Sequence, residues 1–229
     1  MSKIKLLYDV ITTMKDKESL SGTLKLEGRR DQVKILGLDN EFEKNMAEGS
    51  IKAKFSLEMD CEGKKVKHES STQFDRSSCH GGGQHSFMGR IMAHHCHGHH
   101  SHHGHTGPCC GLKERLARLS FLLSVLNSMK VKDQEDKSTV LSLDFADITG
   151  EMKKTIHEKL LHKMAQHHNG HQCVCKEFSD LDDLKAGLNI LINKNREIEK
   201  VTLMIEGRTK DPLNSPRHMD LQAELRFTW

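Results

Sequence analysis

Apolar residues recur along this chain with two different periods. Ile4, Leu7, Ile11 and Met14 follow a 3, 4, 3 spacing with Val10 beside them, and Ser2 stands at an N-cap position, which predicts a helix over 3–14 burying that stripe. The period then drops to two: Leu20, Gly22, Leu24 and Leu26 alternate with Ser21, Thr23, Lys25 and Glu27, the signature of a half-buried strand. Gln32 to Leu38 predicts a second strand, and Asp39 to Gly49 reads as polar and turn-rich. A hairpin follows, with Ile51, Ala53, Phe55, Leu57 and Met59 on one arm, a turn over Asp60 to Lys64, and Val66, His68, Ser70, Thr72 and Phe74 on the other.

The second half repeats this alternation of periods. Leu112, Leu116, Leu119, Leu123 and Leu126, widened by Leu122 and Met129, predict an amphipathic helix over Leu112 to Lys130. Thr139, Leu141, Leu143 and Phe145 predict a strand, and Thr149, Met152, Ile156, Leu160, Leu161 and Met164 start another helix. A third helical piece is expected from Leu181 to Asn193. Val201, Leu203 and Ile205, then Met219, Leu221, Ala223, Leu225, Phe227 and Trp229, form a closing hairpin that turns over Asp211 to Arg217 with Pro212 and Pro216. The two halves share this plan without residue-level identity.

Between the halves lies a stretch with neither period. Cys79 to Gly111 holds ten histidines, four cysteines and seven glycines before the closing Gly111. So many imidazoles and thiols, with almost nothing to build a core, point to a metal-coordinating, flexible and disordered insertion in one α+β domain spanning 1–229. The candidate ligands here are Cys79, His80, His85, His94, His95, Cys96, His97, His99, His100, His102, His103, His105, Cys109 and Cys110. Imidazole suits Zn2+, Ni2+ and Cu2+, while the thiolates favour Zn2+ or Cu+. Because ligating imidazoles must be deprotonated, occupancy is expected to fall below about pH 6. The glycines make ligand ordering entropically costly and allow many alternative sites, which favours sequestration, buffering or delivery over a rigid catalytic centre. Nickel metallochaperones carry a compositionally similar segment, but no GxxxxGK[ST] motif accompanies it here.

A second set, His167, His168, His171, Cys173 and Cys175, could close a tetrahedral site within one short loop, although a polar helix end with two incidental thiols accounts for it equally. HEKLLH is not the zinc-protease motif, since His157 and His162 are five residues apart, about 140° around a helix. His68 and His218 lie on or beside strands and need no function. No nucleophile triad, phosphate loop or paired-carboxylate pattern stands out, so no enzyme is expected.

Charge and composition remove other classes. The net charge is +3, from 35 basic and 32 acidic residues that are interleaved rather than gathered in a stripe, so nucleic acid is not an expected partner. Lys5 and Asp9 interrupt the N-terminal apolar residues, and no window is long and apolar enough for a signal peptide or a membrane span. A cytoplasmic location is expected for the chain as it stands, or an extracytoplasmic one if a leader has been removed. An odd total of seven cysteines fits thiols or metal thiolates better than a disulfide framework.

The opening KLLYDVITTMKDKESLSGTLKLEG, with the later STVLSLDFADITGEM and IEKVTLMIEG, resembles the LolA-like bacterial lipoprotein carriers and their Gram-positive lipoprotein relatives over most of 1–78 and 112–229. That resemblance implies a curved antiparallel sheet, half-barrel-like and flanked by amphipathic helices, whose concave face can hold an acyl chain. The chain departs from that pattern in lacking a leader and a lipobox cysteine and in carrying the histidine tract. Two functions therefore stand as expectations: transition-metal binding, with metal ions and an apo-metalloprotein as partners, and lipid carriage in which the tract is incidental.

Overall fold

The computed structural model describes residues 2–61, 63–74, 112–150, 153–154, 181–209 and 216–229, which form one antiparallel nine-stranded sheet and two helices. In chain order these are α1 (Lys3–Lys15), β1 (Ser19–Arg30), β2 (Val33–Asn45), β3 (Ile51–Cys61), β4 (Lys64–Phe74), α2 (Leu112–Ser128), β5 (Lys130–Asp133), β6 (Thr139–Asp144), a short 3-10 turn (Phe145–Asp147), β7 (Leu181–Ile192), β8 (Ile198–Thr209) and β9 (His218–Thr228). The sheet order is β4-β3-β2-β1-β9-β8-β7-β6-β5, so the architecture is the expected α+β one and the sheet is open. The histidine tract, nearly all of the helix expected from Thr149 to Met164, most of the Asp211 to Arg217 turn and the 157–175 histidine and cysteine cluster lie outside the described residues.

Every neighbour in the sheet but one is also a neighbour in the described sequence. The exception is β1 with β9, paired from Ser21 with Thr228 to Arg30 with Met219, which joins a front meander of four strands to a rear one of five. The expected hairpins hold in register: Leu57 faces His68 and Phe55 faces Ser70 in the first, and Leu203 faces Ala223 in the second. The β1–β2 turn has positive φ at both Asp31 and Gln32, 48° and 70°, as tight hairpins of twisted strands favour. It is fastened to β9 by a reciprocal pair: the Asp31 backbone N–H donates to the His218 carbonyl and the His218 N–H to Asp31 Oδ1, both at 2.9 Å.

Several expectations are corrected. Asp39 to Asn45 is not turn but the second half of β2, because Leu36, Leu38, Asn40 and Phe42 continue the period of two against β1 and β3. The piece from Leu181 to Asn193 is a strand rather than a helix. Leu184, Ala186, Leu188, Ile190 and Ile192 alternate, and β6 and β8 satisfy the backbone of β7 on its two sides. Lys130 opens β5 instead of closing α2, and Phe145 leaves β6 for the 3-10 turn, where Asp144 Oδ1 accepts from the Ala146 N–H at 2.8 Å.

The α1 stripe is also rotated from expectation. Ser2 caps the helix through Oγ, as predicted, but the deeply buried residues are Leu6 (1% exposed) and Val10 (3%), whereas Ile4, Tyr8 and Ile11 are 64–70% exposed. Leu6 and Val10 pack with Met129, Leu141 and Ile192, and Leu7, Met14, Leu126, Leu188, Ile190 and Ile198 surround them. A bulge at Glu199 carries Ile198 onto this face: Leu191 pairs with Lys200, but Ile192 pairs with Ile198. A second bulge, at Ile35, seats that side chain against Met219 with Leu36 and Leu181, a smaller cluster involving β2, β7 and β9.

Candidate functional site

The face of the sheet on which α1 packs is mostly apolar from β3 to β5, while β4 places Thr72, Ser70 and His68 on it. Directly paired residues share a face, so the registers define lateral rows. One row runs Ser70, Phe55, Asn40, Leu24, Leu225, Val201, Ile190, Leu141 and Val131 from β4 to β5. The row beside it runs His68, Leu57, Leu38, Leu26, Ala223, Leu203, Leu188 and Leu143, and a third holds Val66, Met59, Leu36, Gly28, Leu221, Ile205 and Ala186.

Burial along these rows is uneven. Leu141 and Ile192 beneath α1 are closed off, whereas Leu24, Leu26, Leu38, Phe55, Leu57, Val201, Leu203 and Leu225 are half-buried, as are Val131, Leu143, Leu188 and Ile190 beside that core. One corner is aromatic. Phe42 meets Phe227 edge-on at 6.3 Å, Phe227 stacks on Trp229 at 5.6 Å, and Lys17 lies over the Trp229 ring at 5.7 Å. Gly22 makes that corner possible, since a Cβ there would stand 2.3 Å from the Arg226 carbonyl oxygen and 2.9 Å from the Phe42 ring.

Within these rows Asn40 is the buried polar residue, whereas Ser70 and His68 stand at the β4 edge. The Asn40 side chain sits between Leu24 and Phe55 and is 5% exposed, and its Oδ1 has no hydrogen-bond partner among the described residues. An acceptor buried without a donor costs about 1–3 kcal/mol. Asn40 was hidden in the sequence by its polar neighbours, although its place in the alternation Leu36, Leu38, Asn40, Phe42 is the signal that puts it on the inner face.

The opposite face is charged. Lys67 pairs with Glu69 at 2.8 Å, and Arg226 with Glu224 at 2.6 Å, near Lys200. The Arg226 guanidinium holds the Glu224 carboxyl below its usual range. A cleft of about 360 Å³ on this face is lined in part by Asp136, Ser138, Lys200 and Thr202. Its carboxylate is already committed: Asp136 Oδ1 accepts from the Ser138 hydroxyl at 2.6 Å and backbone N–H at 2.9 Å, which holds the carboxyl low and closes the β5–β6 turn.

At the end of the sheet nearest the C-terminus of α1, Glu197 forms a buried clasp. It accepts from Asn193 Nδ2 at 2.8 Å and pairs with Lys17, so its carboxyl is held below the ordinary value by Asn193 first and Lys17 second. Trp229 Nε1 donates to the Ile198 carbonyl at 2.9 Å, adding the last residue of the chain to the same knot. Lys17 and Glu197 are 180 positions apart, and nothing in the sequence connects them.

The predicted metal ligands Cys79, His80, His85, His94, His95, Cys96, His97, His99, His100, His102, His103, His105, Cys109, Cys110, His167, His168, His171, Cys173 and Cys175 all fall outside the described residues. Among the described residues, no group of three or more His, Cys, Asp or Glu could hold a metal ion, and no helix is long and apolar enough to cross a membrane. His68 meets Phe55 edge-on at 6.4 Å on the apolar face, and His218 serves the β1–β2 turn through its backbone.

No family model and no curated protein matches the chain. Among solved structures it is similar to a bifunctional dehydratase-cyclase domain in ambruticin biosynthesis, at 10% identity over 98% of this chain and 80% of that one, with a TM-score of 0.16. A likeness at that score carries no argument about fold or activity.

Proposed function

We propose that this protein binds transition-metal ions, Zn2+, Ni2+ or copper, through residues 79–111, and serves in their sequestration, buffering or delivery. The observation that carries this reading is ligand density: eight histidines and Cys96 fall between His94 and His105, twelve residues in all. Four ligands can close around one ion from many combinations in so short a span. The described sheet is compatible with such a role, because its strands and their ladders are built entirely from residues outside the tract.

Elemental analysis of untagged protein purified from its own host tests the reading. Several equivalents of metal per chain are expected. Deleting 79–111 is expected to remove them while far-ultraviolet circular dichroism and the melting transition persist. Retention of metal by the deletion variant would move the site to His167 to Cys175, and metal-free native protein would end the reading.

A second reading, carriage of an apolar ligand on a LolA-like sheet with the tract incidental, is favoured by the half-buried rows around Leu24, Leu38, Phe55 and Leu225. A half-buried apolar face of this breadth among the described residues is what a carrier of acyl chains needs. Native mass spectrometry after gentle purification is expected to find acyl mass on the protein. Mass equal to the bare polypeptide, even after incubation with fatty acid, would reject this reading.

A further inference from the structure

The three most exposed large apolar side chains among the described residues stand on one helix. Ile4, Tyr8 and Ile11 of α1 are 70%, 68% and 64% exposed, and their spacing of four and three sets them in a single stripe opposite Leu6 and Val10. The core does not use this stripe, because Leu6 and Val10 already seat α1 on the sheet. Apolar residues that are exposed singly, as Val33, Met46, Val66 and Met204 are, need no explanation, whereas three in one stripe do. The neighbouring helix adds to the patch: α2 exposes Leu122 and Leu123, 57% and 47%, and lies beside the start of α1, where Lys3 Nζ donates to the Asn127 carbonyl at 2.8 Å.

The charges around the stripe show what it fits. Lys5 and Lys15 are exposed within about the same third of the helix surface as Ile4, Tyr8 and Ile11. Lys3 and Lys17 are engaged elsewhere, with Asn127 and Glu197. On the acidic side, Asp9 is half-buried on the flank of the helix, and Asp16 and Glu18 are exposed after its last turn. Apolar side chains with a tyrosine among them, bordered by long flexible cations, match the layers of a bilayer surface, from acyl boundary to phosphate. A second copy fits less well, since a two-fold contact through the stripe would set lysines against lysines.

We propose that α1 docks on an anionic phospholipid surface, with Ile4, Tyr8 and Ile11 entering the headgroup boundary and Lys5 and Lys15 reaching the phosphates. Docking uses the side of α1 that faces away from the sheet, so it goes beyond both functions proposed above and depends on neither. A stripe of this size gives reversible attachment rather than insertion.

The test is flotation of the full-length protein with vesicles of phosphatidylcholine alone and of a two-to-one mixture of phosphatidylcholine and phosphatidylglycerol. It is run with EDTA at about pH 7.5, where histidines are neutral and metal-free, so that the histidine tract adds no charge of its own. Wild-type protein is expected to bind the mixed vesicles at least about tenfold more tightly than phosphatidylcholine and to be released by high salt. Lys5→Gln with Lys15→Gln is expected to weaken binding to the mixed vesicles about tenfold. Ile4→Gln, Tyr8→Gln and Ile11→Gln together are expected to abolish it with the melting temperature unchanged. Absence of wild-type flotation, or full binding by either variant, would overturn the proposal. So would a markedly lowered melting temperature in the three-residue variant, which would show that the chain itself covers the stripe. Sedimentation of the wild type as a dimer that this variant converts to monomer would assign the stripe to a second copy and overturn the proposal as well.

Discussion

Glu197 illustrates how one residue can tie distant parts of the chain. Its carboxylate accepts from Asn193 and pairs with Lys17, and Asn193 Oδ1 in turn accepts from the backbone N–H groups of Asn195 and Glu197 at 2.9 and 3.1 Å. Since its folded value lies below the ordinary 4.5, the stability it contributes is fully present above that value and is lost as pH falls through the folded one. Glu197→Gln is therefore expected to lower stability by about 1 kcal/mol at neutral pH. Its melting curve should converge with that of the wild type as pH drops below the ordinary glutamate range, measured by thermal denaturation across pH. Gly22 makes a different demand, for space. Gly22→Ala would drive a methyl group into the Arg226 carbonyl and the Phe42 ring, and the expected loss is about 2 kcal/mol in urea denaturation. The glycine was legible as part of an alternating strand, but its reason was not, because that reason is the approach of β9.

At the level of elements, α1 shows what periodicity can and cannot specify. Its apolar residues are numerous enough to support two stripes, one through Ile4 and Ile11 and one through Leu6 and Val10, and helix propensity is indifferent to which one faces inward. The choice is made by the sheet: Leu141 and Ile192 present the surface against which Leu6 and Val10 fit, and Lys3 Nζ donates to the Asn127 carbonyl at 2.8 Å beside the end of α2. Leu6→Ala is expected to cost about 3 kcal/mol through the cavity it leaves, and Ile11→Ala less than about 0.5 kcal/mol. Equal losses in urea denaturation would contradict this orientation. The strand β7 teaches the same lesson. Leu181, Leu184, Leu188 and Leu191 satisfy helical spacing while Leu184, Ala186, Leu188, Ile190 and Ile192 satisfy strand spacing, and it is pairing on both sides that decides between them.

For the whole molecule, the critical seam is β1 with β9, the second element and the last. β9, which follows every other described strand in the chain, is central in the sheet, so the front and rear meanders cannot be joined until β9 has been made. Removing 218–229 is expected to abolish the cooperative unfolding transition, because both meanders lose their shared neighbour and Lys17 loses Trp229. Differential scanning calorimetry reads this directly, and a truncated chain that still melts in one sharp transition would show the halves to be independent. By itself the sequence determined the local elements whose period is unambiguous: both long hairpins, the capped first helix and an antiparallel α+β class. It also determined where imidazole and thiol are concentrated, since ligand chemistry is a property of side chains and their spacing. Only the tertiary structure decided which stripe of α1 is buried, that 181–192 is strand, and that β1 and β9 meet. It also decided that Asn40 Oδ1 is buried on a mostly apolar face without a donor among the described residues. Each of these depends on contacts between residues far apart in the chain, and a short-range period carries no information about which distant surface will be opposite.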